Sequence, residues 1–266
     1  MKRMRNGLQI SRALRSFSVV KAPATLLPAV LRRVGLADHY WRLESPVGPV
    51  FVAHSKAGIS MVTRAKSGDD FEREFQRRFG RPVYREKAVP PAAVRALVGH
   101  LKGERRRELR YDLRGLSEFE RAVLMKALEI PTGEVRPYSW IAKEIGHPGA
   151  VRAAGTALAK NPVPLLIPCH RVVRSDGHIG KYSLGGARNK RTLLALEGAQ
   201  PETLEKLAAS RVRYLGNSKG MHYCYPTCGG IQTLLESNQV AFHSDEEALA
   251  AGYHPCGDCR PLAKAS

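Results

Sequence analysis

The chain has 266 residues, 43% of them apolar, which is enough to bury one or two cores and excludes disorder for most of its length. Its 43 Lys and Arg against 24 Asp and Glu give a formal charge of +19, favouring a polyanionic partner, nucleic acid ahead of an anionic membrane surface. No apolar run approaches the roughly 20 residues that span a bilayer, so a soluble chain with no membrane partner is expected, and five cysteines exclude a fully paired disulfide framework and suit a reducing, cytoplasmic setting.

The charge is laid out unevenly. Residues 1–38 hold 8 basic and 1 acidic side chains, 39–115 hold 17 and 9, and 116–200 hold 12 and 7, whereas 211–266 hold 5 of each. A basic body followed by a neutral one is implied, with a boundary near residue 205. Residues 1–38 read as a basic arm and a short helix over 26–36 that packs on the next domain. Their Arg-rich, nearly acid-free composition also suits a DNA-contacting arm or an organellar transit signal.

Alternating apolar and polar residues over 40–63, broken at Ser45-Pro46-Val47-Gly48 and Lys56-Ala57-Gly58, predict short strands joined by tight turns. Phe71, Phe75 and Phe79 predict a helix over 69–79, and Val94, Leu97, Val98 and Leu101 another over 91–101. An α+β domain over 39–115 follows, with Arg105-Arg106-Arg107 as a solvated face by default. The next domain, 116–199, opens at a capping box of Ser117 and Glu120 ahead of Phe119, Val123, Leu124, Ala127 and Leu128. A short helix over 140–145, a turn at Gly146-His147-Pro148-Gly149 and a helix over 150–160 make a helix-turn-helix outline. The second of these helices carries Arg152 in its first turn, then Ala153, Ala154, Gly155 and Ala157, small enough for another backbone to approach closely or simply for tight helix packing.

The segment from Asn161 to Val172 sets a thiol, Cys169, in an apolar, proline-stiffened run directly before His170 and Arg171. Neighbouring cations lower a thiol pKa and burial raises it, so this setting tunes reactivity both ways. The helix over 187–196 closes with Glu197 and is stopped by Gly198. A carboxylate at the negative end of a helix dipole needs a compensating cation, and a protonated His170 would supply one. Cys169, His170 and Glu197 then follow the order of nucleophile, base and orienting acid.

On these residues the chain resembles the O6-alkylguanine-DNA alkyltransferases, the methylated-DNA–protein-cysteine methyltransferases, over about 40–199. The resemblance implies an α+β fold, a small ribonuclease-H-like sheet domain and then a helical helix-turn-helix alkyltransferase domain, after which a small zinc-stapled domain is expected from the cysteine pairs described below. It implies direct repair, with a methyl or alkyl group passing once and irreversibly from O6-alkylguanine, or O4-alkylthymine, to Cys169. His170 matches the base that acts through a water, Glu197 the acid that orients it, and Asn161 the brace of the active-site turn. Tyr138 matches the tyrosine that rotates the nucleotide, and Arg152 the finger that fills the stack. Ala153 and Gly155 lie on the helix implied to enter the minor groove, and Tyr182-Ser183 match the loop over the flipped base. The implied partner is double-stranded DNA with alkylated guanine, bound by a monomer, and the transfer needs no cofactor. Leu184 stands where the family commonly has a small residue, and no cysteine precedes Cys169 to build the zinc site of some relatives. A noncatalytic lesion sensor and a Cys-His hydrolase are the competing readings; the former would lack the acceptor thiol, and the latter would need an oxyanion hole.

In 211–266, Cys224 and Cys228 are separated by three residues, Cys256 and Cys259 by two, and the pairs by 27. Two close thiolate pairs at that spacing predict a tetrahedral zinc, Zn2+, that staples a small domain with too little core of its own. His222, His243 and His254 are nearby alternative ligands. The segment resembles the metal-binding domain of the adaptive-response DNA methylation sensor through residues 223–228, 247–253 and 255–261. That resemblance implies that Cys224 matches a cysteine accepting methyl groups from backbone phosphotriesters. A structural zinc module that assists DNA binding is the alternative.

Overall fold

The computed structural model describes residue 23 and residues 25–86, 91–101 and 109–261. The arm over 1–22 and the Arg105-Arg106-Arg107 run lie outside the described residues. Helix α1 (Leu26–Arg33) forms where a helix is expected, but it buries none of its residues, and Leu27 is 63% exposed. The expected packing on the next domain is therefore corrected: eight residues offer too little apolar face to dock firmly. Lys56 Nζ donates to the Arg33 carbonyl at 3.2 Å.

Strands β1 (Asp38–Leu43), β2 (Val50–Ser55) and β3 (Gly58–Thr63) form the antiparallel meander that the alternation predicts. A three-residue strand, β4 (Val83–Arg85), adds parallel to β1, giving the order β3-β2-β1-β4. Helix α2 (Gly68–Phe79), capped by Ser67, buries Phe71 and Phe75 with Tyr40 and Met61, and α3 (Pro91–Leu101) follows. This domain reaches the reactive segment at two points. Val62 N on β3 donates to the Pro162 carbonyl at 2.8 Å, and the Tyr111 hydroxyl to the Leu166 carbonyl at 3.3 Å.

Helix α4 (Glu118–Leu128) opens in the expected capping box, Ser117 and Glu120 satisfying each other's backbone N–H. After it, β5 (Arg136–Pro137) pairs in parallel with β6 (Val172–Val173). Helices α5 (Tyr138–Glu144) and α6 (Val151–Ala159) form the helix-turn-helix, the first starting two residues earlier than predicted. Ala154 and Ala157 are buried while Arg152, Ala153 and Thr156 are exposed, so the small residues serve both readings: half seat the helix, half leave its outer face low. Helix α7 (Gly186–Leu196) returns across the domain, and α8 (Pro201–Ala209), with proline at its first turn, runs unbroken through the expected boundary near 205.

The C-terminal module is a sheet of β7 (Tyr214–Asn217), β8 (His222–Cys224), β9 (Gln239–Phe242) and β10 (His254–Pro255) in the order β10-β8-β7-β9. Helix α9 (Gly229–Gln232) follows the first cysteine pair, and α10 (Asp245–Ala250), capped by Ser244, precedes the second. Its core is largely aromatic: Tyr214 meets Tyr223 at 5.2 Å, and Phe242 meets Tyr253 at 4.9 Å between ring centroids. Among the described residues no helix is long and apolar enough to cross a membrane.

Candidate active site

The turn from Asn161 to Cys169 is buried throughout and braced from within. Asn161 Nδ2 donates to the Ile167 carbonyl at 3.0 Å and to Cys169 Sγ at 3.2 Å, while its Oδ1 accepts Val163 N at 2.9 Å. Leu165 holds φ at 75°, a left-handed conformation that costs a non-glycine residue about 1–3 kcal/mol and persists only where the surroundings enforce it. Pro168, at φ −80° and ψ 59°, closes an inverse γ-turn in which Cys169 N donates to the Ile167 carbonyl at 2.8 Å. The thiol is thus presented by a rigid turn and the following 3-10 turn, Cys169–Arg171.

Burial pushes the Cys169 thiol up, and the Asn161 and Ser183 hydrogen bonds with the Lys190 charge offset this only in part, so the resting sulfur carries its proton. His170 is pulled down by burial against the upward effect of Glu197, which leaves it a neutral base at pH 7. Its Nε2 lies 2.8 Å from Glu197 Oε1, and its Nδ1 has no hydrogen-bond partner among the described residues. A proton passing from Sγ to Nδ1 therefore requires a bridging water, which suits a buried polar nitrogen of this kind. Burial would push the Glu197 carboxyl up, but hydrogen bonds from His170 and Arg171 outweigh it and hold it at about 2. Gly133, at φ +83°, is required here, since a Cβ on it would stand 2.8 Å from the Glu197 carbonyl oxygen.

Two charged residues take parts here that the sequence reading did not give them: Arg171 was read only as a cation beside the thiol, and Lys190 was not singled out. Arg171 donates Nε to Glu197 Oε2 at 2.8 Å and Nη2 to Oε1 at 2.9 Å, and also ties Nη1 to the Ile130 carbonyl at 2.7 Å. With His170 neutral, Arg171 is the cation that compensates Glu197, where a protonated His170 was expected. Lys190 is fully buried, donates to the Val172 carbonyl at 2.6 Å, and is brought down by desolvation to about 8, its coupling to Cys169 acting in the opposite sense. Its signal in the sequence was only that a lysine falls on the buried stripe of α7 with Leu193 and Leu194.

Tyr138, Gly155, Leu158, Cys169, Tyr182 and Ser183 line one open pocket of ≈ 260 Å³. Sequence-predicted residues from three separate segments therefore converge on the thiol. Arg152 and Ala153 do not line this pocket; they project from the exposed face of α6 beside it. Tyr182 packs edge-on to His170 at 5.9 Å, and Leu184 is buried at 4% exposure and stays out of the pocket lining.

In the C-terminal module the ligand atoms of Cys224, Cys228, Cys256 and Cys259 lie within 4.8 Å of one another, all four residues buried. A tetrahedral zinc with Zn–S of ≈ 2.3 Å sets its sulfurs about 3.8 Å apart, so the cluster fits the ion. The cluster is the candidate zinc site, and among the described residues no histidine joins it. Cys224 is fully buried, as an inward structural ligand would be.

Residues 118–199 match the family described as 6-O-methylguanine DNA methyltransferase, DNA binding domain, and residues 207–261 match the metal binding domain of Ada. A methylated-DNA–protein-cysteine methyltransferase of Mycolicibacterium paratuberculosis is 46% identical over 106 residues, 40% of this chain and 63% of that protein. One from Methanosarcina acetivorans is 35% identical over 162 residues, 60% of this chain and 99% of that protein. The crystal structure of Mycobacterium tuberculosis OGT in complex with DNA is similar with a TM-score of 0.50 and 32% identity, covering 63% of this chain and 99% of that one. With a relative 35% identical and matched over 99% of its length, the chain belongs to the methylated-DNA–protein-cysteine methyltransferases.

Proposed function

We propose that this protein repairs alkylated DNA by moving a methyl or alkyl group from guanine O6 to Cys169, once per chain. The observation that carries the reading is the convergence of Tyr138, Gly155, Tyr182 and Ser183 around Cys169, with the His170–Glu197 pair beside the Cys169 turn. An O6-alkyl group is reached only after the nucleotide leaves the stack, at a cost of a few kcal/mol. Arg152, exposed on α6 next to the pocket, fills the gap left in the duplex. The low outer face at Ala153 and Gly155 lets the helix sit deep in the minor groove, and Tyr138 and Tyr182-Ser183 hold the rotated base. The Cys169 proton passes through a water to His170, whose positive charge Glu197 stabilises. The sulfur electron pair then forms the S–C bond as the C–O bond breaks, and its electrons and one proton restore guanine. The thioether has no leaving group for any side chain here to exploit, so the chain is consumed.

The wider assignments rest on the same footing. A monomer bound to double-stranded DNA with alkylated guanine is sufficient, because one chain supplies every group named. The Mycobacterium tuberculosis neighbour was crystallised with DNA, which supports that partner. We take the first domain, 39–115, as ribonuclease-H-like, since an antiparallel β1–β2–β3 with β4 parallel on the far edge of β1 supports it. We place 116–199 as the alkyltransferase domain and 211–266 as the zinc domain. Burial of Cys224 favours a structural zinc over methyl acceptance there. With lesion duplex in excess, repaired guanine should plateau at one per chain. Continued turnover would overturn the stoichiometric reading, and tight lesion binding with no transfer would favour a sensor.

A further inference from the structure

Besides a longer contact from Arg260 to Glu129 at 3.8 Å, the zinc module holds the short segment of the helical domain that carries Tyr138. At its start, Thr227 Oγ1 accepts Val135 N at 2.8 Å, and Gly229 N donates to Glu134 Oε1 at 3.2 Å. The buried Arg136 guanidinium pairs with Glu134 and lies 5.6 Å from the Tyr225 ring centroid and 5.8 Å from that of Trp140. At the far end, Arg260 pairs with Glu144 at 2.8 Å and lies 5.8 Å from the centroid of the same Trp140 ring. Each gripping residue neighbours a metal ligand: Thr227 and Gly229 flank Cys228, and Arg260 follows Cys259.

We propose that the zinc module positions the nucleotide-rotating tyrosine, with Thr227 and Arg260 as positioning residues joined through the four-cysteine site. The proposal rests on the reading of Tyr138 and Cys169 given above. Helix α5 has seven residues and no side-chain cap at its start, so it has little stability of its own and takes its place from what packs on it. One grip fixes the strand that leads into Tyr138, the other fixes the last turn of the helix, and the metal fixes the distance between the grips. The same strand, β5, pairs with β6, which leads directly out of the Cys169 turn, so the module bears on both sides of the pocket. The buried Trp140 ring takes cation–aromatic contacts from the buried Arg136 and the half-exposed Arg260, each an attraction that adds to the hold on α5.

The test uses the full, zinc-loaded chain. Arg260→Ala, Arg260→Lys and Thr227→Val are checked for one zinc per chain by metal analysis. Modification of Cys169 is then followed with two electrophiles: duplex DNA containing O6-methylguanine, which requires nucleotide rotation, and iodoacetamide, which does not. Duplex transfer is expected to fall about tenfold to a hundredfold in Arg260→Ala and Thr227→Val, the scale set by a misplaced reacting group. Iodoacetamide labelling at the Cys169 peptide stays within about twofold, and Arg260→Lys, which keeps the charge on Glu144 without the planar stack, falls between. A variant that loses zinc is replaced by wild-type chain stripped of metal and judged by the same pair of electrophiles. In a Trp41→Phe background, emission from Trp140 should shift on chelation, a readout independent of transfer. Duplex transfer unchanged, equal slowing with both electrophiles, or Trp140 emission indifferent to zinc would overturn the positioning role. A wild-type chain that is labelled by iodoacetamide but never by the lesion overturns the repair reading itself, a separate result from variants that match an active wild type.

Discussion

Beside the Cys169 turn, the Glu197 carboxylate takes His170 on one oxygen and Arg171 on both, while burial opposes its charge. Its folded value of about 2 lies below the ordinary 4.5, so the unfolded chain binds the proton more readily in between. The resulting stabilisation is fully present above pH 4.5, is lost as pH falls towards 2, and is about 3 kcal/mol at neutral pH by linkage. Glu197→Gln should remove that acid limb from urea-unfolding curves and slow alkyl transfer at pH 7 with duplex affinity kept; unaltered transfer kinetics would refute the orienting role. Lys190 acts on the other side of the proton transfer. Its charge draws the Cys169 thiol down against burial, so Lys190→Met should move the pH profile of iodoacetamide labelling at Cys169 to higher pH. A superimposable profile would show that the lysine serves only to tie α7 to the Val172 carbonyl.

At the scale of elements, the same domain holds parts that stabilise and parts that engage DNA, and mutation should separate them. Ser117→Ala removes one half of the capping box on α4, an exposed site far from the thiol, and should cost about 1 kcal/mol in thermal unfolding with transfer unchanged. Arg152→Ala should do the opposite: stability is kept, because the side chain is exposed, while repair of lesions in duplex DNA slows and iodoacetamide labelling of Cys169 does not. Unchanged duplex repair would remove the finger assignment. The same contrast explains what the sequence made legible. Helices α2, α3, α4, α6 and α7 follow from apolar spacing and caps, and Cys169, His170 and Asn161 lie within one recognisable run. Strand β4 did not announce itself, since three residues carry no readable alternation. The pairing of Arg171 with Glu197, and Lys190 altogether, were missed because neither shows until α7 folds back and brings Glu197 to the arginine and the lysine to the thiol. The helix α1 was legible as a helix, but its failure to bury anything is a matter of what lies near it, which periodicity does not encode.

On the scale of the whole molecule, a strongly basic body of two domains meets a neutral module held by four thiolates, and the two are in direct contact through Val135 with Thr227 and Glu144 with Arg260. On the proposed reading the basic side supplies an attraction to duplex DNA that does not depend on sequence, so affinity should weaken steeply with salt. The neutral side needs no DNA contact to matter if it steadies α5. All of this depends on Cys169 being the atom that ends up alkylated. Duplex DNA carrying O6-methylguanine is mixed with the full chain, and every cysteine-containing peptide is weighed after digestion. One methyl per chain, on the peptide holding Cys169 and on no zinc ligand, is the predicted result. A methyl group found on Cys224 in its place, or repaired DNA with Cys169 unmodified, would contradict it.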